Sequence, residues 1–406
     1  MSSRPLTHSG RKVSAVPSIP ETVNRAEHEL LLCCLCPDQD STVSDRIREL
    51  VQIEQDWDYL FLLARRHGVT PLFYSRLQSN AASRVPSLDL QRLQKYFQEN
   101  TARNVVLSAE LCRLISLLAE DAIEAIPYKG PVLALFAYED IGLRRFVDLD
   151  IMVRKEDATR AIEILLASGY EFTKPLTESQ LDVLLRTQHN VQLRRHKRQL
   201  IVELHWEVAS HLFASSVQAD ELWQSLEPIS LNGTELRTLS AEDLMFSLCV
   251  HGSRHLWERL LWICDVGWII ARRKLNWSAL LERARTTHSE RIFLLGVHLA
   301  AKLLRVKLPD EVINQIEGDS QLDRLANVVI ASLFNGTVHR PASTSEIFRY
   351  NLRVRKTWPA RMRYFRHMLN PTDRDLDAVA LPRLLSFGYY LMRPIRLLFR
   401  ANEDIQ

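Results

Sequence analysis

A chain of 406 residues, 46% hydrophobic and 25% charged, is long enough for two or three domains and carries ample material for a core. Its formal charge of +3 names no partner. Its 12 glycines, no two closer than the 12 positions between Gly130 and Gly142, exclude every phosphate loop built on paired glycines, from G-x-G-x-x-G to Walker A and the G-x-S-x-G elbow. The same scarcity argues against a β-sandwich or barrel, which needs frequent glycine-bearing turns.

Residues 1–20, rich in Ser, Pro and Arg, read as a disordered leader with no apolar signal core. From 21 to 121 the pattern is helical, with apolar residues three and four apart in Leu30-Leu31-Cys34, Ile47-Leu50-Val51 and Leu60-Leu62-Leu63. Leu88 to Glu120 forms one long helix or two stacked ones. Cys33, Cys34 and Cys36 lack the gap and the distant partner pair of a zinc knuckle and read as small buried hydrophobes on a helix. With Cys112, Cys249 and Cys264 they fit a reducing, cytoplasmic setting.

The character changes between 122 and 227, where short apolar runs alternate with helical ones. Ala125 to Tyr128 is an extended segment that Pro127 confines to a sheet edge. Pro131 to Tyr138 is a helix, Val147 to Val153 a strand and Glu156 to Ser168 an amphipathic helix. A strand at Tyr170–Phe172 and a helix at Glu178–Arg186 follow. Strands His189–Leu193 and Gln199–Trp206 then flank the basic turn Arg194 to Arg198 as a hairpin. Residues 228–345 read as helical again, with Ser240 and Glu242 capping a helix through His251, and further helices to Arg272, over Trp277–Leu304 and over Asp310–Phe334. No uncharged apolar run of about 18 residues exists, so no transmembrane segment is expected; Asp265 interrupts the best candidate, Leu260–Ile270.

The chemistry-bearing segment is Lys129-Gly130-Pro131, then Arg144 to Val153, then Val202-Glu203-Leu204-His205-Trp206. Side chains alternate along a strand, so Asp148 and Asp150 share one face while Leu149, Ile151 and Val153 make a buried one. Like charges so close are costly without a cation, and magnesium accepts carboxylate oxygens while leaving positions for phosphate. If the hairpin strand lies beside the Asp-x-Asp strand, Glu203 adds a third carboxylate, enough for two divalent ions. Gly130 ends a strand and precedes Pro131 at a helix start, where backbone N–H groups and the helix dipole favour an anion. Lys129 and Arg144 add positive charge at that mouth.

This strand–Gly–helix arrangement with Asp-x-Asp and a later carboxylate resembles the nucleotidyltransferase superfamily related to DNA polymerase β. It resembles most closely the bacterial family usually called uncharacterised nucleotidyltransferases, through Lys129-Gly130, Arg144, Glu203-Leu204-His205-Trp206 and a signature from His251-Gly252 through His255, Trp257, Arg259-Leu260 and Trp262 to Asp265. The tail Tyr389 to Pro394 is similar too, so the resemblance spans about residues 25 to 400. It implies an α+β fold, a small mixed-sheet nucleotidyltransferase core flanked by N-terminal and C-terminal helical regions. It implies Asp148, Asp150 and Glu203 as catalytic metal ligands for Mg²⁺ or Mn²⁺, with Glu203 either a ligand or the base for the acceptor proton. Lys129, Gly130, Arg144, His205, His251 and His255 are the expected nucleotide- and phosphate-binding residues. The expected substrate is a nucleoside triphosphate, ATP foremost, and the acceptor is open among protein, RNA and small molecule. The single-glycine loop departs from the superfamily's paired small residues. That departure keeps open a second class, a catalytically weak nucleotide-binding or antitoxin-like scaffold protein.

His205 is either a partner that orients Glu203 or a core histidine. His251 and His255 lie one turn apart with no carboxylate beside them, which suits base stacking or polar lining better than zinc. Trp257, Trp262 and Trp268 read as core aromatics, and Asp265 needs a partner, for which Arg254 and Arg259 are nearest in sequence. The region 346–406 is a basic helical tail. Arg349 to Arg366 holds seven basic residues, no acid and interleaved aromatics, a pattern of RNA or membrane-surface contact or of a solvated face. Arg383, Arg393, Arg396 and Arg400 continue it on an apolar background.

Overall fold

The computed structural model describes residues 25–38, 40–195, 200–207, 219–335 and 342–372, with scattered positions from 375 to 396. The expected leader, the tip of the basic turn and much of the terminal tail lie outside the described residues.

The chain opens with α1 (Ala26–Leu35), α2 (Ser41–Leu50), α3 (Trp57–His67), α4 (Thr70–Ala81) and α5 (Ser87–Glu120). Asp40 and Asp56 cap α2 and α3 by accepting backbone N–H groups at 2.9 Å. The run from Leu88 to Glu120 is one helix, α5, of 34 residues and about 50 Å. Next come β1 (Ala125–Pro127), α6 (Gly130–Tyr138), β2 (Leu149–Val153), α7 (Ala158–Ala167), β3 (Glu171–Phe172), α8 (Glu178–Thr187), β4 (Asn190–Arg195) and β5 (Leu200–His205). They build a mixed five-stranded sheet in the order β1-β2-β5-β4-β3, with β2 and β5 parallel and the other pairs antiparallel. Pro127 sits on the edge strand, where its missing N–H costs no ladder bond.

After α9 (Ala219–Gln224) the chain does not turn helical at once. It makes a second antiparallel pair, β6 (Glu227–Leu231) and β7 (Thr234–Thr238), joined by Asn232-Gly233 with φ +54° and +77°. Asn-Gly between two short apolar-alternating runs is a strong local hairpin signal, and it corrects the expectation of unbroken helix past Glu227. The rest is α10 (Ala241–Arg254), α11 (Leu260–Arg272), α12 (Trp277–Thr286), α13 (Glu290–Leu304), α14 (Asp310–Glu317), α15 (Ser320–Leu333), α16 (Thr344–Val354) and α17 (Trp358–Met368). The segments 277–304 and 310–334 each divide into two helices, the first where His288 adopts φ +57°.

Two apolar cores follow. One joins α1–α4 to α10, α11, α13 and α15, so the helices on either side of the sheet in sequence form one body in space. The other lies between the sheet, α7, α8 and the C-terminal half of α5, and it takes in Leu231 and Leu236 of the second hairpin. Helix α5 contributes Leu93 to the first core and Leu107, Leu111, Leu114 and Leu118 to the second. Cys33, Cys34 and Cys36 are buried in the first core as expected, and burial pushes the Cys33 thiol up to about 11. Among the described residues no helix is long and apolar enough to cross a membrane.

Candidate active site

Parallel pairing of β2 with β5 sets Asp150 directly beside Glu203, and Met152 beside His205. Alternation then buries Leu149, Ile151, Val202 and Leu204 in the sheet's core and leaves Asp150, Glu203 and His205 on one side. Their donor atoms lie within 4.8 Å of one another, and among the described residues no other trio of acids, histidines and cysteines is so disposed. Asp148 precedes β2 and lines the same cavity. Strand β4 steadies Glu203 from its other flank: Asn190 Nδ2 and Gln192 Nε2 each donate to its carboxylate at 3.3 Å.

Above this trio the chain leaves β1 and enters α6 at Gly130, whose φ is +55° and whose missing Cβ would meet the Asp148 carbonyl oxygen at 3.2 Å. Lys129 extends back so that Nζ donates to Asp150 Oδ1 at 3.2 Å. The start of α6 and the carboxylates are therefore neighbours, as the sequence pattern required.

Electrostatics divide the acids. Burial lifts the Asp148 carboxyl to about 6, with the charges of Asp150 and Glu203 pushing the same way. Burial opposes ionisation of Asp150 as well, but Lys129 and His205 outweigh it and hold that carboxyl well below its usual range. Fully buried His205 is raised, because Asp150 and Glu203 outweigh the burial that resists its charging. Its Nε2 stands 3.2 Å from Asp150 and 3.4 Å from Glu203, yet the ring is angled so that neither contact is a hydrogen bond. His205 thus sits among the carboxylates as a fourth group rather than apart as a core histidine. Tyr128, also fully buried, packs edge-on against it at 5.4 Å and has no hydrogen-bond partner for its hydroxyl.

The cavity over these groups measures about 470 Å³, within the range of small-molecule sites. Lys129, Arg144, Asp148, Asp150, Glu203, His205, His251 and His255 all line it, while Gly130 lies behind Lys129 at the helix start. His251 and His255 lie 4.7 Å apart with their rings tilted, and each meets the Trp262 ring, at 5.3 and 5.1 Å. Trp262 therefore belongs to the site, whereas Trp257 and Trp268 are core. Burial drives His255 down to about 4 and His251 well below its ordinary value, so both rings are neutral faces near pH 7.

One expectation needs revision. The partner of Asp265 is Arg144, not Arg254 or Arg259: the guanidinium holds both carboxylate oxygens, at 2.7 and 2.9 Å, and Tyr138 Oη donates at 2.8 Å. Arg144 lines the cavity with its charge matched by Asp265, tying the segment before β2 to α11. Arg254 instead lies 2.8 Å from His189 Nε2, a cavity-lining histidine whose ring stands 6.1 Å from that of His205. Sequence reasoning missed His189, Tyr128 and Arg145. The signal for His189 was its place one residue before Asn190, which faces His205 across the β4–β5 ladder.

The mixed sheet thus sets Asp150 of β2 beside Glu203 of β5, with Asp148 just before β2 and the Gly130-initiated helix α6 adjoining them. The chain belongs to the uncharacterised nucleotidyltransferase family, whose model matches residues 54–305, well over half of it. The match covers every site residue named above but not the tail from Tyr389 to Pro394. Among curated proteins no match is found.

Proposed function

We propose that the protein is a divalent-metal-dependent nucleotidyltransferase that moves a nucleoside monophosphate from a triphosphate, with ATP the expected donor, onto an acceptor hydroxyl or phosphate. The observation that carries this is the register Asp150–Glu203, which brings acids 53 positions apart in sequence into one buried cluster with His205 and Asp148. The residues fit a cation: donors converge, His205 has buried nitrogens without hydrogen-bond partners, and Asp148 carries the penalty of burial beside Asp150 and Glu203, which Lys129 and Arg144 do not fully offset. Carboxylate-rich donors favour Mg²⁺ or Mn²⁺. Bound there, such an ion would neutralise the acids and polarise the phosphate oxygens.

The chain's own groups supply the rest. The N–H groups at the start of α6 and the Lys129 ammonium receive the triphosphate oxygens, and the neutral face of His251, His255 and Trp262 takes the base by stacking. The acceptor oxygen attacks the α-phosphorus, the bond to the bridging oxygen breaks, and pyrophosphate leaves. Glu203 either helps to hold the ion or accepts the acceptor's proton. Catalysis then rests on positioning and charge neutralisation, as phosphoryl transfers require. Its free, mostly buried cysteines fit a reducing, cytoplasmic setting.

The test is labelled ATP with Mg²⁺ or Mn²⁺, reading pyrophosphate release and label transfer for the native chain, Asp148→Asn and Glu203→Gln. Turnover is expected to fall by at least about a hundredfold in both variants. Turnover that survives Asp148→Asn undiminished sinks the assignment. The direct Lys129–Asp150 pair favours one other reading, a weak or inactive nucleotide binder whose phosphate-loop lysine is already occupied. Calorimetry separates them, since tight triphosphate binding with no turnover in the native chain supports the second.

A further inference from the structure

A second cavity, about 730 Å³, lies beside the first between α3, α15, α16 and the turn from His255 to Arg259. Four arginines line it: Arg66 from α3, Arg324 from α15, and Arg349 and Arg353 from α16. Its two acids do not balance them. Glu346 is engaged in capping α16, where it accepts the Ser343 N–H at 2.8 Å, and Glu258 sits in the wall shared with the nucleotide cavity. Among the described residues no carboxylate comes within ion-pair distance of Arg324, Arg349 or Arg353. Three exposed guanidiniums around one groove, none of them in an ion pair with its two acids, form an anion-binding surface.

The shared wall is built under strain. Leu256 and Trp257 both adopt left-handed backbone, φ +53° and +55°, a conformation that side chains with a Cβ disfavour. Trp257 holds the turn in place: its N–H donates to the Gly252 carbonyl at 2.8 Å, and its buried indole fills the space where Cβ atoms on Gly252 and Gly296 would stand. The strained turn sends His255 and Arg259 into the nucleotide cavity and Leu256 into the groove, with Glu258 lining both. Backbone strain maintained between two cavities marks a functional junction.

We infer that this groove is the acceptor site and that it takes the end of a single-stranded RNA; the inference rests on the nucleotidyltransferase reading above. Arg349 and Arg353 are one helical turn apart on one face, a spacing that suits successive phosphates of an extended strand. Guanidinium planes also provide stacking surfaces for unpaired bases, and Leu256, Leu325 and Val328 add apolar contact. The terminal hydroxyl then reaches the α-phosphorus across Glu258. The basic run at 349–366 acquires a definite role through only two of its members: Arg355 is buried against Tyr364, and Arg363 bonds the Thr287 carbonyl.

The experiment is fluorescence anisotropy of a labelled single-stranded RNA oligonucleotide with the full chain, over a salt series, alongside calorimetry of Mg–ATP on the native protein. The RNA is expected to bind with affinity that falls as salt rises. Arg349→Glu with Arg353→Glu should weaken it at least about tenfold and reduce the salt slope by about two. Both positions are exposed, and melting curves check the fold. Arg237→Glu, on the remote second hairpin, should leave affinity unchanged. RNA binding that ignores the α16 pair overturns the groove assignment, and a phosphorylated peptide of equal charge that binds as tightly overturns RNA as the class. No RNA binding with Mg–ATP still bound defeats this inference alone; loss of both defeats the reading beneath it.

Discussion

Gly130 shows how little side chain the phosphate end of the site tolerates. At φ +55° a residue with a Cβ pays on the order of 1–2 kcal/mol, and the added carbon would press on the Asp148 carbonyl oxygen 3.2 Å away. The neighbour that must yield belongs to Asp148, which the proposed function sets among the metal ligands, so displacement is expected to cost activity more than stability. Gly130→Val is expected to lower the melting temperature by only a few degrees while abolishing nucleotide turnover. Circular dichroism melts beside turnover assays check this; a variant that unfolds outright at 25 °C, or one that keeps native turnover, contradicts it. Isolation of Gly130 from every other glycine was visible in the sequence, and so was its Pro131 neighbour. Its contact with Asp148 was not, because that approach depends on how the loop from α6 to β2 folds back.

That loop, residues 139–148, is held from two sides by elements distant in sequence. From α5, Asn100 Nδ2 donates to the Gly142 carbonyl at 3.0 Å, Asn104 Nδ2 to those of Ile141 and Arg144, and Arg103 to that of Phe146 at 2.8 Å. From α11, Asp265 grips Arg144, both almost wholly buried. Removing one member of such a pair leaves an uncompensated buried charge, a loss of about 3–5 kcal/mol, while an apolar replacement of both recovers much of it. Arg144→Met is therefore expected to shift the urea midpoint sharply, and Arg144→Met with Asp265→Leu to restore most of the shift. Turnover should stay low in both, since the brace between sheet and helix is gone. A double variant no more stable than either single one refutes the pairing energetics. A buried aspartate in an apolar run announced its need for a cation, but local spacing pointed to Arg254 and Arg259; the true partner lies 121 positions away. Periodicity reports which face of an element is buried and is silent on which element covers it. Likewise the alternation around Glu203 revealed its face, while its place beside Asp150 depended on β5 pairing parallel with β2. The Asn232-Gly233 hairpin was readable and was overridden by the helical trend around it.

At the scale of the molecule, the helices before and after the sheet close into one core, and His67 of α3 lies inside it. Its Nε2–H donates to the Leu333 carbonyl at 3.0 Å, and Nδ1 accepts the Leu260 N–H at 3.3 Å, so one neutral imidazole ties α3 to the end of α15 and the start of α11. A second proton would break the Leu260 bond and place a charge in the core. Burial accordingly pushes His67 down to about 3, and burial with the nearby Arg25 charge pushes His28 of the same core to about 4. The unfolded chain, with ordinary histidines near 6.5, binds more protons than the folded one below that value, so stability rises with pH there. The stabilisation is fully present above about pH 6.5 and is lost as pH falls towards the folded-state values, at up to about 1.4 kcal/mol per pH unit for each histidine. Carboxylates held low by partners, such as Glu110 beside Arg113 and Tyr170, add their loss only in the more acid range below the ordinary carboxylate value. Asp148, raised to about 6, and His205, also raised, work against this loss, while His189, His251 and His255, held low by burial like His67, add to it, so urea unfolding midpoints are expected to drop between about pH 6 and 5. His67→Gln should be less stable at neutral pH and show a shallower decline over the same window. A native chain equally stable at pH 7 and 5 would show that these histidines reach solvent, and that the helical regions do not share the closed core that carries the site.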